Sequence, residues 1–191
     1  MFMQGSRMRH SARVGLILAI LAATCALAAK KPTEYDVKAA YLVNFGRFMR
    51  GGPGAAPRAS DFDICVLGED PMGSSLDVIA ENEKIGPRTV RVKRVHDARE
   101  ARPCDIVYLS AAEGEKIAAD LEVLRGADAL TVSDAPEFLR NGGMIQFVLQ
   151  GDHVRFSVNL GAVHKAHVVL SSELLRVALS VVGAPAGEVA P

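Results

Sequence analysis

Val37, Ala40, Tyr41, Phe45 and Phe48, with Asn44 among them, recur at helical spacing. Thr33 stands three residues before Asp36 as in a capping box, and the glycines and prolines of 51–57 stop the pattern. This predicts a first helix with one apolar face. The period then shortens. "FDICVL" (62–67) reads as a strand, followed by a turn and a helix near 73–81, and "TVRVKRV" (89–95) alternates as a strand with one wet face. "CDIVYLS" (104–110) is a buried strand, 112–126 an amphipathic helix ending at Gly126, and 129–134 another strand. Residues 133–143 predict a short helix whose left-handed exit is supplied by Asn141, Gly142 and Gly143. "MIQFVLQ" (144–150) and "HVRFSVNL" (153–160) flank Gly151 and Asp152, which marks a tight antiparallel hairpin. A final helix over 171–182 starts on serine caps and turns Leu174, Leu175, Ala178 and Val181 or Val182 to one side. Short strands alternating with helices define an α/β fold. It is a single domain with a largely parallel sheet flanked by helices, a C-terminal antiparallel hairpin and a final helix.

The first 28 residues follow a different rule. Arg7, Arg9 and Arg13 precede the apolar run 14–23, and Ala26, Leu27 and Ala28 place small residues where a signal peptidase inspects the chain. The run falls short of the roughly 20 residues of a membrane span. Thr24 ahead of Cys25, with no leucine three residues upstream, fits a lipid-attachment site poorly. The expected organisation is a cleaved signal peptide at 1–28, a domain at 29–182 and a frayed tail at 183–191, with the mature chain secreted to the periplasm and not inserted in the membrane. Export also changes the charge. Loss of three arginines leaves 19 basic residues against 22 acidic ones, so bulk charge attracts neither nucleic acid nor anionic lipid.

Chemistry along the mature chain is sparse. "GEDPMGSS" (68–75) follows a strand as a phosphate loop would, but it lacks the dinucleotide spacing and the P-loop lysine, and Glu69 and Asp70 would repel phosphate. His164 and His167 lie three apart, without a carboxylate or cysteine at a supporting spacing, so no metal is expected. Ser133, Asp134, Ser171 and Ser172 lie near His164 in sequence only, and no nucleophile elbow exists. No enzyme and no cofactor are expected. Cys65 and Cys104 fall in strands that a flavodoxin-like order makes neighbours, with Cα atoms about 5 Å apart. An oxidising compartment favours a disulfide, which would close a loop of about 40 residues, worth about 4 kcal/mol; two buried thiols packed as small apolar groups are the alternative.

Five segments in order, "DVKAAYLVNFGRF" (36–48), "ICVLGEDPMG" (64–73), "CDIVYLS", "LTVSDAPEFLRNGGMIQFVLQGDHVRFSVNL" (130–160) and "LSSELLRVA" (170–178), resemble the YfiR family across nearly the whole mature chain. The resemblance implies a periplasmic regulator that binds the periplasmic sensor domain of an inner-membrane diguanylate cyclase. It holds the cyclase inactive, lowering cyclic-di-GMP and biofilm formation. It further implies a homodimer and a redox dependence, with Cys65 and Cys104 matching the family's cysteine pair. The chain departs from the family pattern in having no tryptophan, in "RFMRGGPG" (47–54) after the first helix, in carrying no cysteine after Cys104, and in Ser157 where an acid is common. The competing expectation is a periplasmic small-ligand sensor without a cyclase partner, its pocket at the carboxyl ends of the parallel strands near Gly68, Ser110 and Asp134. The first helix and the last, with their apolar stripes, are the candidate docking surfaces.

Overall fold

The computed structural model describes residues 31–54 and 60–183; the leader at 1–28 and the tail from 184 onward lie outside them. The described chain runs α1 (Glu34–Arg47), β1 (Met49–Gly51), β2 (Asp61–Leu67), α2 (Ser74–Ala80), β3 (Lys84–Ile85) and β4 (Arg88–Val95). It continues through α3 (Ala98–Ala101), β5 (Ile106–Leu109), a 3-10 turn (Ala111–Glu113), α4 (Lys116–Leu124), β6 (Leu130–Ser133) and β7 (Ile145–Gln150). It closes with β8 (His153–Asn159), α5 (Leu160–Lys165), β9 (Val168–Leu170), α6 (Ser172–Val177) and β10 (Ser180–Val182). Eight strands form one sheet in the order β10-β8-β7-β6-β5-β2-β4-β3. It is parallel except at β3 against β4 and at the β7–β8 hairpin. β1 and β9 pair separately and antiparallel.

Both faces of the central strands are buried, which explains their unbroken apolar runs. Ile64 and Val66 of β2 point into the larger core beneath α1 and α2, whereas Cys65 and Leu67 point into a second core under α3 and α4. Tyr41 and Phe45 of α1 meet Phe147 and Phe156 of the hairpin, with Phe45 and Phe156 edge to face at 5.1 Å. Gly46 lets α1 approach β2, since a Cβ there would lie 2.9 Å from the Phe62 ring. At the amino end of the sheet Arg88 donates to both Asp105 oxygens, at 2.7 and 2.6 Å, and Asp105 also accepts from Asp63 N.

The fold class is the expected one, an α/β domain with a mostly parallel sheet and a C-terminal antiparallel hairpin. Four local expectations are corrected. The last helix stops at Val177, because Ala178 turns extended (ψ 145) and Leu179 N donates to Phe156 O; Ser180–Val182 then adds a parallel edge strand to β8. Their β-branched valines suit that role. Residues 135–142 form turns instead of a helix: Glu137 takes a left-handed φ of 61° and Gly143 N bonds Phe138 O. The 112–126 helix is broken at Gly114 (φ 46°) into a 3-10 turn and α4. The buried line of α1 runs through Lys38, Ala39, Leu42, Val43, Phe45 and Gly46, rotated from the predicted face, and leaves Val37, Ala40 and Tyr41 half-buried.

Candidate functional site

Gly68, Ser110 and Asp134 each follow directly on a parallel strand, β2, β5 and β6, and these three strands are neighbours. The fold therefore brings the three to one end of the sheet, and internal bonds occupy all of them. Gly68 (φ 87°) donates its N–H to Val95 O at 3.0 Å, and the Glu113 side chain lies where a Cβ on Gly68 would stand. Ser110 is buried, donates its N–H to Leu67 O and accepts from Ala112 N with its hydroxyl. Asp134 accepts from Lys38 Nζ at 2.5 Å and from the Tyr108 hydroxyl at 2.8 Å.

That last group is a charge network which the sequence reading missed. Lys38 is only 2% exposed and also pairs with Glu34 at 2.5 Å, so one ammonium ties the first turns of α1 to the exit of β6. Burial pulls the Lys38 pKa down, but the hydrogen bonds and charges of Asp134 and Glu34 outweigh it and the net shift is upward. Tyr108, buried in the core beside the Asp134 carboxylate, is held neutral by burial first and by that charge second. The available signal was a lysine at i−1 of Ala39 and i−4 of Leu42, inside the apolar stripe.

A second cluster lies on α4. Asp120 is 5% exposed, its Oδ2 makes no hydrogen bond, and its nearest cation is Lys116 Nζ at 3.6 Å. Burial raises its pKa against the pull of Lys116. The folded state thus keeps this proton to higher pH than the unfolded chain, and stability falls as pH climbs from 3.8 through the raised value. Asp120→Asn is accordingly expected to stabilise the protein at neutral pH by about 1 kcal/mol, or roughly 2–4 °C in Tm, and to change it less below pH 4. Calorimetry at pH 7 and pH 3.5 checks both the sign and the crossover.

Cys65 and Cys104 form a disulfide, with S–S 1.98 Å and Cα atoms 6.1 Å apart. Cys65 lies within β2, while Cys104 falls two residues before β5, in the turn that leaves α3. Both are fully buried, under Ala98 and Ala101 of α3, Ile117 and Leu121 of α4, and Phe138. His164 and His167 do not converge. His164 lies in the last turn of α5, and His167 (φ 50°) bonds Asp128 through Nδ1 at 3.0 Å. Among the described residues no group of three His, Cys, Asp or Glu side chains could hold a metal ion.

These features define a disulfide-bridged α/β domain whose polar side chains at the sheet's carboxyl end bond one another. A family model described as YfiR/HmsC-like matches residues 35–179, and the chain belongs to that family. It is a family of periplasmic, regulatory proteins of the diguanylate cyclase pathway, not of catalysts. Among the described residues no helix is long and apolar enough to cross a membrane. No curated protein matches the chain. A conserved domain protein from Vibrio cholerae O1 biovar El Tor is similar in structure, with TM-score 0.48 and 11% identity over 63% of this chain and 54% of that one. The ABC domain from Streptococcus pneumoniae, solved in complex with L-Trp, aligns with TM-score 0.47 and 12% identity over 75% of this chain and 60% of that one. The chain spans little more than half the length of these two structures.

Proposed function

We propose that this protein is a periplasmic repressor: it binds the periplasmic sensor domain of an inner-membrane diguanylate cyclase and holds the cyclase inactive, lowering cyclic-di-GMP and biofilm formation. Family membership over 35–179 is the observation that carries this reading. Residues 1–28 export the chain and are removed, 29–182 act as the regulatory domain, and 183–191 trail behind it. The active form is a homodimer.

Repression requires preference for one state of the partner. Turning a 1:99 bias into 99:1 takes about 5.5 kcal/mol of differential binding. The disulfide contributes by keeping the binding-competent fold populated. The last segment, and not the first helix, supplies the docking surface. The stripe of α1 is buried against the sheet, whereas Val177, Leu179 and Val182 are 58%, 40% and 46% exposed beside the edge strand β10.

Deleting the gene in its host and measuring intracellular cyclic-di-GMP tests the reading directly. Deletion is expected to raise the nucleotide severalfold, and wild type to restore it. Complementation with Val177→Asp/Leu179→Asp is expected to fail while the protein accumulates normally. A level unmoved by deletion, with the cyclase expressed, removes the repressor reading; full rescue by the double variant moves the docking surface elsewhere.

A further inference from the structure

At the amino end of the parallel strands, opposite Gly68, Ser110 and Asp134, the molecule carries a cleft of about 460 Å³. Incomplete strand pairing opens it. β5 and β6 pair along Leu130 to Ser133, but β7 joins β6 only at Val132 and Ser133. Ahead of that point Met144 N is held by the Thr131 hydroxyl at 3.2 Å, and the exit of α4 and the body of α5 form the walls. The volume lies in the ordinary range of small-molecule sites, roughly 300–1,000 Å³.

The lining has two characters. Leu121, Leu124 and Met144 supply a floor of buried apolar side chains. Lys165 and Arg125, both exposed, are the cations among the described lining residues, and the acid among them, Glu122, is engaged by Arg125. Among the described residues Lys165 has neither a hydrogen-bond nor an ion-pair partner. The partial negative charge of the α4 exit is also reduced, because Arg102 donates to the Val123 and Arg125 carbonyl oxygens. An apolar floor beneath an unpaired ammonium suits a ligand with an apolar body and one anionic head.

We propose that this cleft binds a small organic acid, its carboxylate on Lys165 and its apolar body on Leu121, Leu124 and Met144. Such a ligand bridges α4, α5 and the entry to β7 and stabilises the fold by mass action. The site adjoins the candidate docking surface, since Gly183 of its lining follows Val182 and Asn159 pairs with Val182, but it does not depend on the cyclase reading.

The test is an amide-resolved NMR titration of the mature chain with phenylacetate and, as an uncharged isostere, phenylacetamide. Phenylacetate is expected to give saturable shifts at Gly126, Gly142 and Gly161 with a Kd of about 1 mM. Phenylacetamide, and phenylacetate against Lys165→Ala, are expected to bind roughly threefold to tenfold more weakly. Ala162→Leu narrows the cleft without touching its charge and is expected to abolish the shifts while leaving the rest of the spectrum in place. Equal binding of acid and amide, indifference to both substitutions, shifts centred on Gly68 and Ser110, or no saturable shift up to the solubility of phenylacetate would each overturn the proposal.

Discussion

Lys38→Met is expected to destabilise the protein by about 3 kcal/mol, near the lower end of what breaking a buried ion pair costs. For a domain of this size that is a fall of roughly 6–12 °C in Tm. The methionine packs well enough in the apolar stripe between Ala39 and Leu42; the loss comes from what remains behind. Asp134, with its side chain 14% exposed, keeps only the Tyr108 hydroxyl as partner, while Glu34, 35% exposed, turns to water. The double variant Lys38→Met/Asp134→Asn should recover most of the loss, because the amide oxygen still accepts from Tyr108 and carries no charge. A double-mutant cycle by urea denaturation measures the coupling, and additivity of the two single effects would show that the pair contributes nothing beyond packing.

The same network sets an alkaline limit. Lys38 is shifted above its ordinary 10.5 and Tyr108 above its ordinary 10.0, so the folded state holds both protons where the unfolded chain releases them. Their contribution is complete at neutral pH and is lost as pH rises beyond those ordinary values. The stability gap between wild type and Lys38→Met is therefore expected to be flat from pH 6 to about 9.5 and to narrow above it.

Cys65→Ser/Cys104→Ser is expected to cost about 4 kcal/mol, from the freedom regained by a loop whose ends are 39 residues apart, and to lower Tm by roughly 8–16 °C. With both cysteines buried beneath α3 and α4, a reductant gains access only when that layer opens. Reduction of the wild type under native conditions should thus become independent of reductant concentration at high excess, its rate set by opening. Free-thiol counts over time measure this; a rate that stays proportional to reductant would mean an accessible bridge and a directly poised redox switch. The distinction bears on the proposed repression, which a covered bridge would link to redox state through the lifetime of the fold.

Much of this architecture was legible from hydrophobic period alone. β2, β5 and β6 announce themselves because burial on both faces demands continuous apolar runs, and the hairpin because Gly151 (φ 63°) supplies the turn that its alternating arms require. Family membership was readable in five ordered segments. The bridge was not settled by sequence, which left two packed thiols open; adjacency of β2 and β5 brings the cysteines together. Other features answered to distant partners. Ser180–Val182 has helical neighbours and an apolar period, yet the free edge of β8 claims its backbone as a strand. Lys38 reads locally as a solvated lysine between apolar residues, and becomes a buried cation because Asp134, 96 residues away, stands at the exit of β6. The amino-end cleft leaves no mark on any single segment, since it arises where β7 joins β6 late. Local periodicity indicated most of the elements, and resemblance in five ordered segments indicated the family. Which backbone edge, carboxylate or gap each element meets depends on contacts far apart in the chain, and only the tertiary structure decided those.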